Sequence, residues 1–130
     1  MDSEQGKELV RRYMDEAWNG GDVDVIDELF APELAPRLKS LVEAFRAGFP
    51  DWHGVVEDFV VEGDKVANRW TAKATHTGNF YGIPATGKTV AVEGITIHHI
   101  ADGKIVADWS QTDQLALMQQ LGVAPGPGGQ

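Results

Sequence analysis

Residues 52–77, WHGVVEDFVVEGDKVANRWTAKATHT, decide the fold. Two Val-rich runs of alternating polarity, Trp52 to Val61 and Lys65 to Thr77, flank the turn residues Gly63 and Asp64, and this pattern predicts a β-hairpin. Successive side chains of a strand point to opposite faces. Val66, Asn68, Trp70, Ala72, Ala74 and His76 therefore share one face, and Ala67, Arg69, Thr71, Lys73 and Thr75 share the other. The first set is the more apolar and is expected to face inward.

Upstream of this hairpin the period changes to that of helices. Ser3 to Asn19 carries Leu9, Val10, Tyr13, Met14 and Ala17 at helical spacing, with Ser3 as the expected cap and Gly20-Gly21 as the stop. Asp22 is expected to cap a short second helix containing Val25, Ile26, Leu29 and Phe30. Pro32 and Pro36 bound a connection, and Arg37 to Phe49 reads as a third helix closed by Pro50. Downstream, a Gly- and Pro-containing loop, 78–87, leads to a second hairpin, Thr89 to Ile100 and Lys104 to Asp113. A closing helical segment follows, Leu115 to Leu121. Helices followed by consecutive strands define an α+β class, with the helices on one face of an antiparallel sheet. The domain is expected to span 1–123, with a disordered Pro/Gly tail over 124–130.

The second hairpin decides which side chains enter the interior. A three-residue turn, Ala101-Asp102-Gly103, with Gly103 left-handed, pairs Ile100 with Lys104. One face then carries Ile95, Ile97, His99, Ile105, Ala107, Trp109, Gln111 and Asp113, and the other Thr96, His98, Val106, Asp108 and Ser110. The first is the more apolar and is expected to be the inner one. Val90 and Val92 have the wrong parity to join it, and a bulge at Gly94 would correct the register. The inner surface expected on this reading is apolar with a few polar groups, which is the usual build of a small-molecule pocket.

The chain has 130 residues and a formal net charge of −9, which disfavours binding to nucleic acid or to anionic membranes. Cysteine is absent, excluding disulfides and thiolate metal sites and suiting a cytoplasmic location. No apolar run approaches the roughly 20 residues needed to span a bilayer. His98 and His99 are adjacent on a strand and point to opposite faces, so they cannot chelate one ion together. With His53 and His76 distant in sequence, no metal site is expected.

Several segments resemble the SnoaL-like polyketide cyclases and their ester cyclase relatives, within the nuclear-transport-factor-2-like superfamily. They are Phe49-Pro50-Asp51, the run from Glu62 to Ala72, Thr75 to Gly78, Gly82 to Lys88, Asp102 to Val106, and Trp109, Asp113 and Gln120-Leu121-Gly122. The resemblance implies a conical, curled antiparallel sheet packed on the N-terminal helices, a cystatin-like α+β barrel. The outer set Arg69, Thr71, Lys73, Thr75, Thr96, His98, Asp108 and Ser110 is mixed polar and short and suits a wet interface, so a homodimer through the sheet face is expected, and the resemblance implies the same. The implied chemistry is an intramolecular aldol cyclisation, of isomerase or lyase type, without a cofactor. Matched by position, Asp113 would be the acid/base and His99 its neighbour. A hydrophobic substrate would be held by Phe45, Asn68, Trp70, His76, Ile97, Trp109 and Gln111. Where relatives often read His-Trp-Asp, this chain has Asp108-Trp109-Ser110. Other readings are a cofactor-independent hydroxylase, a non-catalytic binding protein of the same fold, or an assembly module. Asp113 could equally serve only to cap the last helix.

Overall fold

The computed structural model describes residues 2–124, so all but the first residue of the expected tail lies outside the described residues. Helix α1 spans Ser3–Arg12. Its cap is Asp2 and not Ser3: the Asp2 carboxylate accepts from the Gln5 amide N–H while the Gln5 side chain accepts from the Asp2 N–H, a reciprocal capping box. The helix continues as a π-helical turn over Tyr13–Asn19. Helix α2 is Val25–Leu29, preceded by Asp24 rather than capped by Asp22. Helix α3 is Ala35–Gly48 and admits Pro36 in its first turn, where no intrahelical N–H is needed.

Four strands follow, β1 (His53–Glu62), β2 (Lys65–Thr75), β3 (Thr89–Ala101) and β4 (Lys104–Thr112), in the antiparallel order β1-β2-β3-β4. Helix α4, Gln114–Leu121, closes the chain. The α+β reading of the sequence holds. The helices cover the concave face, where Ile26, Leu29, Phe30, Leu38, Val42, Val66 and Ile105 are buried. Each such side chain contributes about 1.5–3 kcal/mol on burial. A second cluster of Phe49, Trp52, Phe80, Val90, Leu117 and Leu121 packs at the other end. Because β4 pairs with β3 only from Gly94 onward, the first rungs of β3 would be an open edge. There the Gln120 amide covers Ala91, accepting from its N–H at 2.7 Å and donating to its carbonyl at 2.8 Å.

The second hairpin departs from expectation in its turn and in its sidedness. Asp102 and Gly103 both have positive φ, 53° and 76°, and Ala101 pairs with Lys104, so the loop has two residues. Ile100 then pairs with Ile105, and a bulge at Val106 restores the pairing of His99 with Ala107. Beyond the bulge, residues of equal parity do share a face, but the inner set is the opposite one. The register of β3 on β2 runs without a break and matches Val66 to His98, Asn68 to Thr96, Trp70 to Gly94, Ala72 to Val92 and Ala74 to Val90. Partners across a ladder lie on the same face. The inward set of β2 therefore fixes Val90, Val92, Gly94, Thr96, His98 and Ile100 as inward. No bulge at Gly94 is present. Gly94 instead makes room for Trp70: a Cβ there would lie 2.5 Å from the indole and 2.7 Å from the Gln111 carbonyl.

Candidate functional site

Between the two buried clusters lies a cavity of about 600 Å³. Its helical wall is Val10, Tyr13, Met14, Trp18, Leu38, Leu41 and Phe45. Its sheet wall is Trp52, Asn68, Trp70, Thr96, His98, Asp108 and Ser110, and its rim runs from Gln111 to Leu115. The aromatic rings are mutually packed: Trp18 lies 5.6 Å from Phe45 and 5.3 Å from Trp52, and Tyr13 meets Phe30 edge-on at 4.8 Å.

The polar groups form two rungs across β3 and β4. On the first, Thr96 and Ser110 share a hydroxyl–hydroxyl bond of 2.8 Å, and the Trp70 indole N–H donates to Thr96 Oγ1 at 3.2 Å. On the second, His98 stands opposite Asp108. His98 is 1% exposed and its Nδ1 has no partner among the described residues. Burial pushes the imidazole down to about 4, only partly opposed by the nearby Asp108 charge, so the ring is neutral at neutral pH. Asp108 Oδ1 accepts from the exposed Arg37 guanidinium at 2.8 Å. Tyr13 completes the group, its ring 6.2 Å from that of His98. Burial raises the phenol well above its ordinary value, so it stays protonated and can donate.

Of the residues expected at the site, Phe45, Asn68 and Trp70 line the cavity, and Gln111 and Asp113 stand at its rim. Asp113 Oδ1 accepts from the Ala116 amide at 3.0 Å, the cap of α4. The other placements need correction. His99 lies on the convex face, bonded through Nε2 to Asp64 at 2.8 Å, and does not meet Asp113. Ile97 and Trp109 are on the same convex face, 40% and 57% exposed. His76 is inward and buried but not in the cavity. Its Nδ1 accepts from the Thr86 amide and its backbone bonds to Lys88 and Gly87, so it pins the 78–88 loop. The outer set proposed for a dimer is also revised, because Thr96, His98, Asp108 and Ser110 point inward. Sequence reasoning missed Tyr13, Trp18, Trp52, His98 and Asp108 as cavity residues. The parity conflict of Val90 and Val92 was the signal that could have found the last two. Among the described residues no three His, Asp or Glu side chains converge into a metal-binding group, and no helix is long and apolar enough to cross a membrane.

Helices packed on a curled antiparallel sheet, with an aromatic-lined cavity between them, define a small-molecule pocket protein of the nuclear-transport-factor-2-like kind. The family model "SnoaL-like polyketide cyclase" matches residues 8–121, and the chain belongs to that family. It is 32% identical to the aklanonic acid methyl ester cyclase DnrD of Streptomyces peucetius, covering 88% of this chain and 89% of the relative. Among solved structures, TsrD from Streptomyces laurentii superposes with a TM-score of 0.88 at 28% identity, covering 95% and 98% of the two chains. AclR from Streptomyces galilaeus, a candidate hydroxylase, gives 0.87 at 28% identity, covering 96% and 85%.

Proposed function

We propose that the chain is a cofactor-independent, polyketide cyclase-like enzyme in which Asp108 is the acid/base. The observation that carries this reading is the His98–Asp108 rung on the cavity wall, with a neutral imidazole whose Nδ1 is unpartnered and a carboxylate steadied on one oxygen by Arg37. Asp108 Oδ2 takes a proton from a carbon flanked by two carbonyls, whose acidity lets a carboxylate serve as base. The carbanion, held as its enolate, attacks a ketone carbon of the same molecule. One C–C bond forms, the carbonyl π-bond breaks, and the resulting alkoxide recovers the proton from Asp108. The net change is an isomerisation. His98, in the tautomer carrying Nδ1–H, and the protonated Tyr13 hydroxyl donate to the oxygens that gain charge. A neutral imidazole suits this task, since it does not surrender its proton to the product. The aromatic walls hold the substrate chain folded so that the reacting carbons meet. Asp113 is assigned to the rim and to capping α4.

The test is turnover of aklanonic acid methyl ester, the substrate in the name of the relative DnrD. Asp108→Asn should lose turnover and keep binding, whereas Asp113→Asn should keep both. Loss in Asp113→Asn with activity retained in Asp108→Asn would return the acid/base role to Asp113. Binding without turnover in the native chain would leave a carrier. The likeness to AclR favours cofactor-free hydroxylation as a second reading, which uptake of dioxygen with the same ligand would distinguish.

We also propose a homodimer through the convex sheet face. The exposed Ile95, Ile97, Val106 and Trp109 support it, because a monomer rarely leaves such a contiguous group to water.

A further inference from the structure

The N-terminal helix does not keep one period. Its first part is α-helical and its second, Tyr13–Asn19, is π-helical. The change of period has a geometric effect on the cavity wall. In an α-helix each residue turns about 100°, so Tyr13 and Trp18 would stand about 140° apart, with Met14 between them. A π-turn advances only about 80° per residue, which places Tyr13 and Trp18 about 40° apart and gathers all three onto one side. The structure has this arrangement: Tyr13 and Trp18 meet edge-on at 6.3 Å, and Tyr13, Met14 and Trp18 all line the cavity.

The π period is held from outside the helix. Arg46 of α3 donates to the carbonyls of Trp18 and Asn19 at 2.7 and 3.2 Å. The Asn19 amide clips strand β1, donating to the Gly54 carbonyl at 2.9 Å and accepting from its N–H at 2.7 Å. Relaxation to an α-helix would break these four bonds. Trp18 also packs against both buried clusters, so it stands where the cavity divides them. Its ring is tilted 37° to that of Trp52 and crosses Phe45 at 67°.

We infer that the π-helical turn is a specificity device that carries Trp18 into the cavity, and that Trp18 sets how long a planar, fused-ring ligand the pocket accepts. The inference rests on the cavity being the ligand site, as proposed above, and does not depend on which carboxylate is the acid/base. The indole fills the space between the aromatic end and the His98–Asp108 rung. A short planar ligand fits beside it, and a longer one collides with it.

The experiment measures affinities for 1,4-naphthoquinone, 9,10-anthraquinone and 5,12-naphthacenequinone, of two, three and four rings, by quenching of tryptophan fluorescence. Trp52 and Trp70 remain as cavity reporters when Trp18 is replaced. Trp18→Ala should shift the four-ring to two-ring affinity ratio at least tenfold toward the four-ring ligand, and Trp18→Phe should give an intermediate shift. Arg46→Ala, which removes the outside bonds to the Trp18 and Asn19 carbonyls without touching the cavity lining, should move the ratio in the same direction as Trp18→Ala. If it does not fold, the two Trp18 variants still decide. A Trp18→Ala chain that weakens all three ligands by one common factor overturns the inference while leaving the cavity as the ligand site. A native chain quenched by none of the three overturns both.

Discussion

The two faces of the hairpin β3–β4 carry side chains that look exchanged. The concave face presents Thr96, Ser110, His98 and Asp108, and the convex face presents Ile95, Ile97, Val106 and Trp109 to solvent. In an ordinary half-buried sheet the apolar set would be the inner one. Here the concave face lines a cavity instead of a solid core, so polar groups can face a ligand without being pressed against hydrocarbon. Thr96 and Ser110 satisfy each other and Asp108 is held by Arg37 of α3, while His98 Nδ1 has no partner among the described residues. The apolar convex face is the surface on which the proposed dimer would form. The apolarity of a face therefore does not by itself identify it as the inner one.

The sharpest way to break this comparison is to neutralise the inner carboxylate. Asp108→Asn should lower turnover by about 10² or more, the scale of losing a general acid–base group, with ligand affinity little changed. Asp113→Asn should stay near native, since Asn caps as well as Asp, and Asp113→Ala should cost about 1 kcal/mol of stability. Urea denaturation beside steady-state kinetics reads both.

A second test uses the burial of His98. Its folded value lies near 4, against about 6.5 for a free histidine, so the unfolded chain binds the extra proton first. The stability this contributes is complete above about pH 6.5. It declines as pH falls toward 4, by about 3 kcal/mol at the limit. His98→Gln should flatten the dependence of the urea midpoint between pH 7 and 4.5. An unchanged slope in that variant would show that His98 is not the titrating group.

Gly94→Val should cost about 1–3 kcal/mol, because the new side chain meets the Trp70 indole and the Gln111 carbonyl and forces one of them to move. It should also weaken ligand binding by displacing Trp70, which calorimetry against the native chain would show. On the convex face the effects should be smaller for the fold and specific to assembly. Trp109→Lys should convert a dimer to a monomer in light scattering while leaving the unfolding midpoint at low concentration and the cavity's affinity unchanged. His99→Ala should be the smallest change, with turnover intact, because the His99–Asp64 pair lies outside the cavity.

Much of this protein was legible in its sequence. The helical spacing of Leu9, Val10 and Tyr13, the Val-rich alternation of β1 and β2, and the position of the second hairpin's turn, though not its length, each reflect a local rule, namely a period or a left-handed backbone. Local rules can be read one residue at a time. They placed four strands after the helices and set the inward face of β2, so Asn68 and Trp70 were found. The sidedness of β3 was not local. The hairpin β3–β4 offered two faces and its own composition favoured the wrong one, and only the register against β2, a long-range pairing, chose between them. That choice exchanged His99 for His98 and Trp109 for Asp108 at the candidate site, since a strand's side-chain period of two turns one step of parity into the opposite side of the sheet. The π-turn was beyond the sequence for a related reason. Residues 13–19 are ordinary helix formers, and the hydrogen bonds that hold the unusual period come from Arg46 and Gly54, which only the tertiary fold brings to Trp18 and Asn19.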